Sequence, residues 1–388
     1  MKKLFIVFIA VILFPLVSSA YEAGVKTFTW DNGEREIPVM VWYPAITPMV
    51  MPGDTHGFDY YGFIQGDAKY NAVAEVEFAP YPVIIFSHGL GMCSFQSVFI
   101  MEHLARNGYV VIAPDHKDSA ICHIGGQSDV AYKQLFKAMI LGQGDLDKTV
   151  RLLFPEKINH IKDPGYRPEE TSFVISQILV EPELTFLADY HNIAGLGHSF
   201  GGWTMLALAG GNISCGDTMN YPPSFCNQPD LPVTTAQVQK KLCCCAPYRG
   251  VTTSYYDPRL KAIAILAPGS FIFPHYSDLD IQVPVMFITG DHFEVDYWTN
   301  IQLPYNLITT PKYLVEFSGA DHMTPSDIMA EYFGAKVALR GYWFYPCKQK
   351  KYKNYTLAFY NKYLRQDSAA LDQLLNSCDP WTKIQHQE

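Results

Sequence analysis

The chain is short of positive charge. It carries 29 Lys and Arg against 38 Asp and Glu, a formal net charge of −9. That balance excludes nucleic acid as a main partner, because phosphate backbones are held by a basic face. The run Lys348-Gln-Lys-Lys-Tyr-Lys353 is a local exception, read as a solvated helix approach with an anionic surface contact as the alternative. Histidine is missing between residues 199 and 274, although five cysteines fall in that interval. A mixed Cys/His zinc site is thereby excluded there, and the Cys spacing does not suit a Cys-only site. No metal and no cofactor is expected. Internal repeats and low-complexity linkers are absent, so the chain is not read as a repeat array. Charged residues are only 17% against 48% hydrophobic, which excludes disorder as the general state.

What is present begins with a leader. Lys2 and Lys3 precede an apolar run over residues 4–17, and Ser18-Ser19-Ala20 offers small residues for cleavage. The run is short for a membrane span. Residues 1–20 are therefore expected to be a signal peptide cleaved near Ala20, leaving a secreted or lumenal protein. Nine cysteines fit an oxidising compartment, and the odd count leaves at least one thiol unpaired or paired between chains. Asn212-Ile-Ser and Asn354-Tyr-Thr are glycosylation sequons.

The mature chain is read as one α/β domain over residues 21–388. Residues 25–30 and 36–43 alternate around Asp31-Asn32-Gly33, the pattern of an antiparallel edge hairpin. Residues 44–80 read as a long surface loop. Continuous apolar runs follow at 82–87, 109–113, 190–196, 261–266 and 283–289, with a last strand at 312–317. Runs of that kind suit strands buried on both faces of a mostly parallel sheet with helices on either side. Helices are expected after His88, at 129–140 and 143–154, and at 334–345 and 355–363. Two insertions, about 118–190 and a Cys-rich one about 212–256, leave the sheet where cleft loops and lids are built.

The chemistry centres on Gly197-His198-Ser199-Phe200-Gly201, a G-x-S-x-G between an apolar strand and a helix-forming run. Such a turn forces a residue with a side chain toward positive φ and presses its neighbours so close that glycine is needed. It would aim the Ser199 hydroxyl into a cleft and the Phe200 N–H at developing negative charge. A serine nucleophile needs a base, and the base an orienting acid, in the chain order Ser, Asp/Glu, His. His322 follows the last strand and is the expected base. His275 precedes the acid strand, His292 crowds the acid loop, and His386 falls in the tail. The acid belongs just past residues 285–289. Its usual place, three residues after the Gly, is Phe293, so the candidates are Asp291 and Glu294, with Asp291 preferred for its position at the strand end. His88-Gly89-Leu90-Gly91 matches the loop that completes an oxyanion hole, with the Leu90 N–H joining that of Phe200.

Together, Phe86-Ser-His-Gly-Leu-Gly91, Val111-Ile-Ala-Pro-Asp-His-Lys-Asp118 and Gly197-His-Ser-Phe-Gly-Gly202 resemble the platelet-activating factor acetylhydrolase family and its dienelactone-hydrolase-related esterase relatives. The resemblance continues weakly at residues 286–293 and 320–322. It implies the α/β-hydrolase fold, with Ser199 as nucleophile, His322 as base, and Leu90 and Phe200 as oxyanion donors. It also implies hydrolysis of short or oxidised acyl esters of phospholipids, or of small carboxylic esters, with peripheral contact to a lipid surface. The acid does not carry over from the lipid-acetylhydrolase branch, whose matching place here is Ala267. Two alternatives stand beside this expectation: a non-catalytic binding protein on the same fold, and a polyester or peptide hydrolase with the same triad.

Overall fold

The computed structural model describes residues 21–46, 57–119, 164–214, 251–270, 273, 279–291, 297–327 and 345–388. The leader expected at 1–20, the helices expected at 129–140 and 143–154, the cysteines from Cys215 to Cys245 and Glu294 lie outside these residues. So does the helix expected at 334–345, except for its final residue.

The chain enters through β1 (Glu22–Asp31) and β2 (Glu36–Ala45), which pair antiparallel as expected. Their turn is held by the Asp31 carboxylate, which accepts the Gly33 N–H at 2.8 Å, and by the φ of +87° at Gly33. Residues 57–80 do not behave as a plain surface loop. They hold three two-residue strands, β3 (Asp59–Tyr60), β4 (Ile64–Gln65) and β5 (Lys69–Tyr70). They also bury Tyr60, Phe63, Ile64 and Ala68. The Tyr60 hydroxyl explains the difference, because it accepts from Trp42 Nε1 at 2.7 Å and donates to Glu102 Oε1 at 3.0 Å. A buried tyrosine with both bonds made anchors a segment rich in Gly and aromatic residues that shows no strand or helix period.

Next come β6 (Tyr81–Ser87), α1 (Val98–Arg106) and β7 (Val110–Pro114), a β-α-β unit with parallel strands. Then follow α2 (Tyr166–Gln177), β8 (Ala188–His198) and α3 (Phe200–Leu208). β9 (Asn212–Ser214) and β10 (Thr252–Ser254) pair antiparallel and close the neck of the second insertion. The chain continues through β11 (Leu260–Leu266), β12 (Val285–Gly290), α4 (Leu303–Leu307) and β13 (Lys312–Phe317). It closes with α5 (Tyr345–Arg365), α6 (Ala369–Leu375) and β14 (Thr382–Gln387).

The main sheet runs β14-β13-β12-β11-β8-β6-β7-β2-β1-β5. Its six central strands, β7 to β13 in that order, are mutually parallel. Alternation along β6 explains why they read as unbroken apolar runs. Val83 and Ile85 face one core with α2 and α3, while Ile84 and Phe86 face the other with α1 and α5. Each such side chain contributes about 1.5–3 kcal/mol when fully buried. Two expectations need correction at the ends. β13 is not last, because β14 pairs antiparallel beside it and stacks His386 on Tyr313. Its sequence, Thr-Lys-Ile-Gln-His-Gln, is mostly exposed and gives no apolar signal. The hairpin is not outermost, since β5 adds a short strand beyond β1. In addition, α5 starts ten residues before the expected helix at 355. It carries the lysine run, of which Lys348 donates to the Gly319 carbonyl and Lys351 pairs with Asp379.

Candidate active site

The carboxyl ends of four parallel strands meet at one place: β6 leads into the His88 loop, β8 into Ser199, β12 into Asp291 and β13 into the loop with His322. Open parallel sheets bind ligands at this end. Ser199 has φ of +54° and ψ of −116°, a conformation that costs a non-glycine residue energy. The surroundings hold it there. Its N–H donates to the Leu266 carbonyl at 2.9 Å, and its carbonyl accepts from Gly269 at 2.8 Å and Gly202 at 2.9 Å. The two glycines of the motif are required by contact. A Cβ on Gly197 would lie 2.2 Å from the Gly201 carbonyl oxygen, and one on Gly201 would lie 1.9 Å from the Ser87 oxygen.

His322 Nε2 lies 2.9 Å from Ser199 Oγ, within the range for proton transfer. The loop that carries it is tied down locally. Gly319 takes φ of +70°, and the Asp321 carboxylate accepts from the Met323 N–H at 3.0 Å and the Thr324 hydroxyl at 2.9 Å.

A second histidine holds this loop against the elbow, and the sequence reading did not single it out. His198 is buried, and its Nε2 lies 2.7 Å from the His322 carbonyl oxygen, so Nε2–H is the donor there. Its Nδ1 lies 2.6 Å from Gln96 Nε2, which must then donate. Gln96 Oε1 accepts the Gly89 N–H at 2.8 Å. One amide and one imidazole therefore join the His88–Gly91 loop, the elbow and the loop that carries His322. Burial, and after it the proximity of His322, push the His198 imidazole down to about 3, which keeps it neutral and able to serve both bonds. The signal in sequence was only the identity of the second residue in G-x-S-x-G. Gln96 had none.

The oxyanion candidates are arranged by what their neighbours do. The Gly89 N–H is taken by Gln96, and the Gly91 N–H by Asp118 Oδ2 at 2.9 Å. Among the described residues, neither the Leu90 nor the Phe200 N–H is taken by another protein group. Phe200 is also the first residue of α3, where the helix favours negative charge.

Asp291 sits directly after β12 and is exposed. Its Oδ2 accepts the Ser318 hydroxyl at 2.8 Å and its Oδ1 the Gly319 N–H at 2.5 Å, so it grips the loop that leads to His322. Ala267, at the end of β11, is buried with φ of +42°, and its methyl offers no acid. No group of three or more His, Cys, Asp or Glu placed to hold a metal occurs among the described residues. Cys347 and Cys378 are exposed free thiols.

This sheet order and strand-end site define the α/β-hydrolase fold. The same architecture is seen in a ferulic acid esterase from Streptomyces cinnamoneus, which superposes with a TM-score of 0.56 over 94% of this chain and 96% of that one, at 17% identity. Residues 56–134, which carry the His88–Gly91 loop, match the family model of platelet-activating factor acetylhydrolase, isoform II. Similar proteins include the platelet-activating factor acetylhydrolases of Canis lupus familiaris, 30% identical over 162 residues, and Cavia porcellus, 31% identical over 165 residues. Each match covers 38% of this chain and about a third of the relative, 36% and 35% respectively. Among the described residues no helix is long and apolar enough to cross a membrane.

Proposed function

We propose that this chain is a serine hydrolase of carboxylic esters. The observation that carries the reading is the 2.9 Å contact between His322 Nε2 and Ser199 Oγ at a strained elbow. Ser199 Oγ attacks the ester carbonyl carbon as His322 Nε2 takes the hydroxyl proton. The carbonyl oxygen becomes an oxyanion held by the Leu90 and Phe200 N–H groups. His322 returns the proton to the leaving alcohol, and an acyl-enzyme remains on Ser199. Water, deprotonated by His322, then releases the acid and restores the serine. Asp291 is the proposed orienting acid, with Glu294 as the alternative.

The substrate class proposed is a short-acyl phospholipid or a small carboxylic ester. Its support is the likeness to the acetylhydrolases over residues 56–134. The cysteines and the leader at residues 1–20 support action outside the cell after cleavage near Ala20.

A fluorophosphonate probe tests the mechanism. Wild-type protein should be labelled and Ser199→Ala should not. A folded wild type that resists the probe would instead be a non-catalytic protein on a hydrolase fold. Short-acyl phospholipid, p-nitrophenyl ester, polyester and peptide assayed side by side test the substrate. Turnover of only the last two would move the reading to a polyester or peptide hydrolase.

A further inference from the structure

Arg167 is fully buried, yet the mechanism above gives it no task. Its Nε and Nη2 donate to the two oxygens of Asp118, at 2.9 and 2.6 Å. Nη1 donates to the His88 carbonyl at 2.6 Å, and Nη2 also reaches the Gly89 carbonyl at 3.2 Å. The guanidinium lies over the Phe200 ring, with its central carbon 4.3 Å from the ring centroid. One side chain therefore touches both halves of the oxyanion hole, the loop before Leu90 and the residue Phe200. Buried ion pairs roughly break even against apolar residues of the same size, so fold stability alone does not explain this one.

The peptide plane supplies the reason. The Gly89 carbonyl and the Leu90 N–H belong to one trans peptide unit and point in opposite directions. A group that holds the carbonyl on the protein side aims the N–H at the cleft. Glycine on one side of that unit makes it easy to rotate. Rotation would put a carbonyl oxygen where the oxyanion must sit. Three contacts oppose it: Arg167 Nη2 and His88 Nδ1 on the Gly89 carbonyl, the latter at 2.7 Å, and Asp118 on the Gly91 N–H. Tyr166 steadies Asp118 with a hydroxyl bond of 2.7 Å to Oδ1.

We infer that Arg167 and Asp118 are positioning residues of the oxyanion hole, locking the Gly89–Leu90 peptide in the orientation that presents the Leu90 N–H to the tetrahedral intermediate. This rests on the hydrolase reading above. Neither residue touches the substrate. Arg167 acts through the backbone of His88 and Gly89 and through the Phe200 ring, and Asp118 acts through Gly91 and by holding Arg167.

The test compares Arg167→Lys, Asp118→Asn and Tyr166→Phe with wild type. Active sites are first counted by fluorophosphonate titration, so that every rate is expressed per reactive serine. Arg167→Lys keeps the charge but loses the planar fork. Its kcat per site should fall about 100-fold, the scale of losing one oxyanion donor. KM should change by less than about threefold, and affinity for a trifluoromethyl ketone, which forms a tetrahedral adduct, should fall in step with kcat/KM. Asp118→Asn should show the same pattern at about tenfold. If the variants lose titratable sites while the remaining sites turn over like wild type, the pair is merely structural and the inference is overturned. If neither buried variant yields titratable protein, Tyr166→Phe decides, because it removes a hydroxyl and no buried charge. A fall in its kcat with KM retained supports the inference, and an unchanged kcat and ketone affinity overturns it. Failure of wild type itself to react with the probe would sink the hydrolase reading instead, so the two failures are distinct.

Discussion

His322 Nε2 and Ser199 Oγ stand 2.9 Å apart although 123 positions separate them in the chain. The contact exists because β8 and β13 are parallel strands of one sheet whose carboxyl ends open on the same side. His198 and Gln96 then fix the distance by tying the backbone of the His322 loop to the elbow.

The orienting acid is open to direct measurement. Asp291→Asn should lower kcat by about 10⁴-fold if Asp291 sets the tautomer of His322. Asn keeps a carbonyl oxygen for the Gly319 N–H, so the melting temperature should change little. If Glu294→Gln produces the loss and Asp291→Asn does not, the acid is Glu294 and Asp291 serves only the 318–319 turn.

The bridge through Gln96 predicts a contrast between two substitutions. Gln96→Leu strands the buried Gly89 N–H and His198 Nδ1 and should cost about 1–3 kcal/mol of stability, read from a denaturation midpoint. Gln96→Glu fills the same space but accepts at both oxygens. His198 must then donate from both nitrogens, so its imidazole should titrate far above the present value of about 3. Nitrogen NMR of the ring would read the change, and a neutral His198 at pH 6 in that variant would refute the assigned bridge.

Acid should unfold this protein early. Burial pushes His88 and His198 down to about 3 and His103 down to about 4. All three take up protons more readily when unfolded, where histidine titrates near 6.5. Their neutral-state contribution is fully present above about pH 6.5 and is lost as pH falls toward 3. The slope should reach up to roughly 4 kcal/mol per pH unit near pH 5. Urea midpoints measured from pH 7 to pH 4.5 check it, and a flat profile contradicts the burial of these rings.

The glycine contact in the elbow gives the bluntest prediction. Gly201→Ala would place a methyl 1.9 Å from the Ser87 carbonyl, a backbone atom that cannot swing away. The expected loss is about 3 kcal/mol or more, seen as a lowered midpoint or as failure to accumulate.

Much of this was legible in the residues. Chemistry concentrated in short local motifs announces itself, so the elbow at Ser199, the loop at Leu90 and the histidine after a strand could be read in order. The doubly buried strands were equally plain, because both of their faces demand apolar side chains. Other elements gave no local sign. β14 is a polar edge strand, and its pairing depends on β13 rather than on its own pattern. Tyr60 is buried because Trp42 and Glu102 meet its hydroxyl while Phe58 and Phe95 pack against its ring. Arg167 looks like any surface arginine until Asp118 and two loop carbonyls surround it.

The order of apolar runs, the spacing of glycines around one serine and the place of His322 settled the class of fold and nominated the candidate reacting groups. Those are properties of neighbours in the chain, where sterics and periodicity act over a few residues. Which N–H groups are left for an oxyanion, which carbonyls hold the loop and which rings stay neutral were decided by the tertiary structure. Hydrogen bonds and burial join residues a hundred positions apart, and no local pattern encodes them.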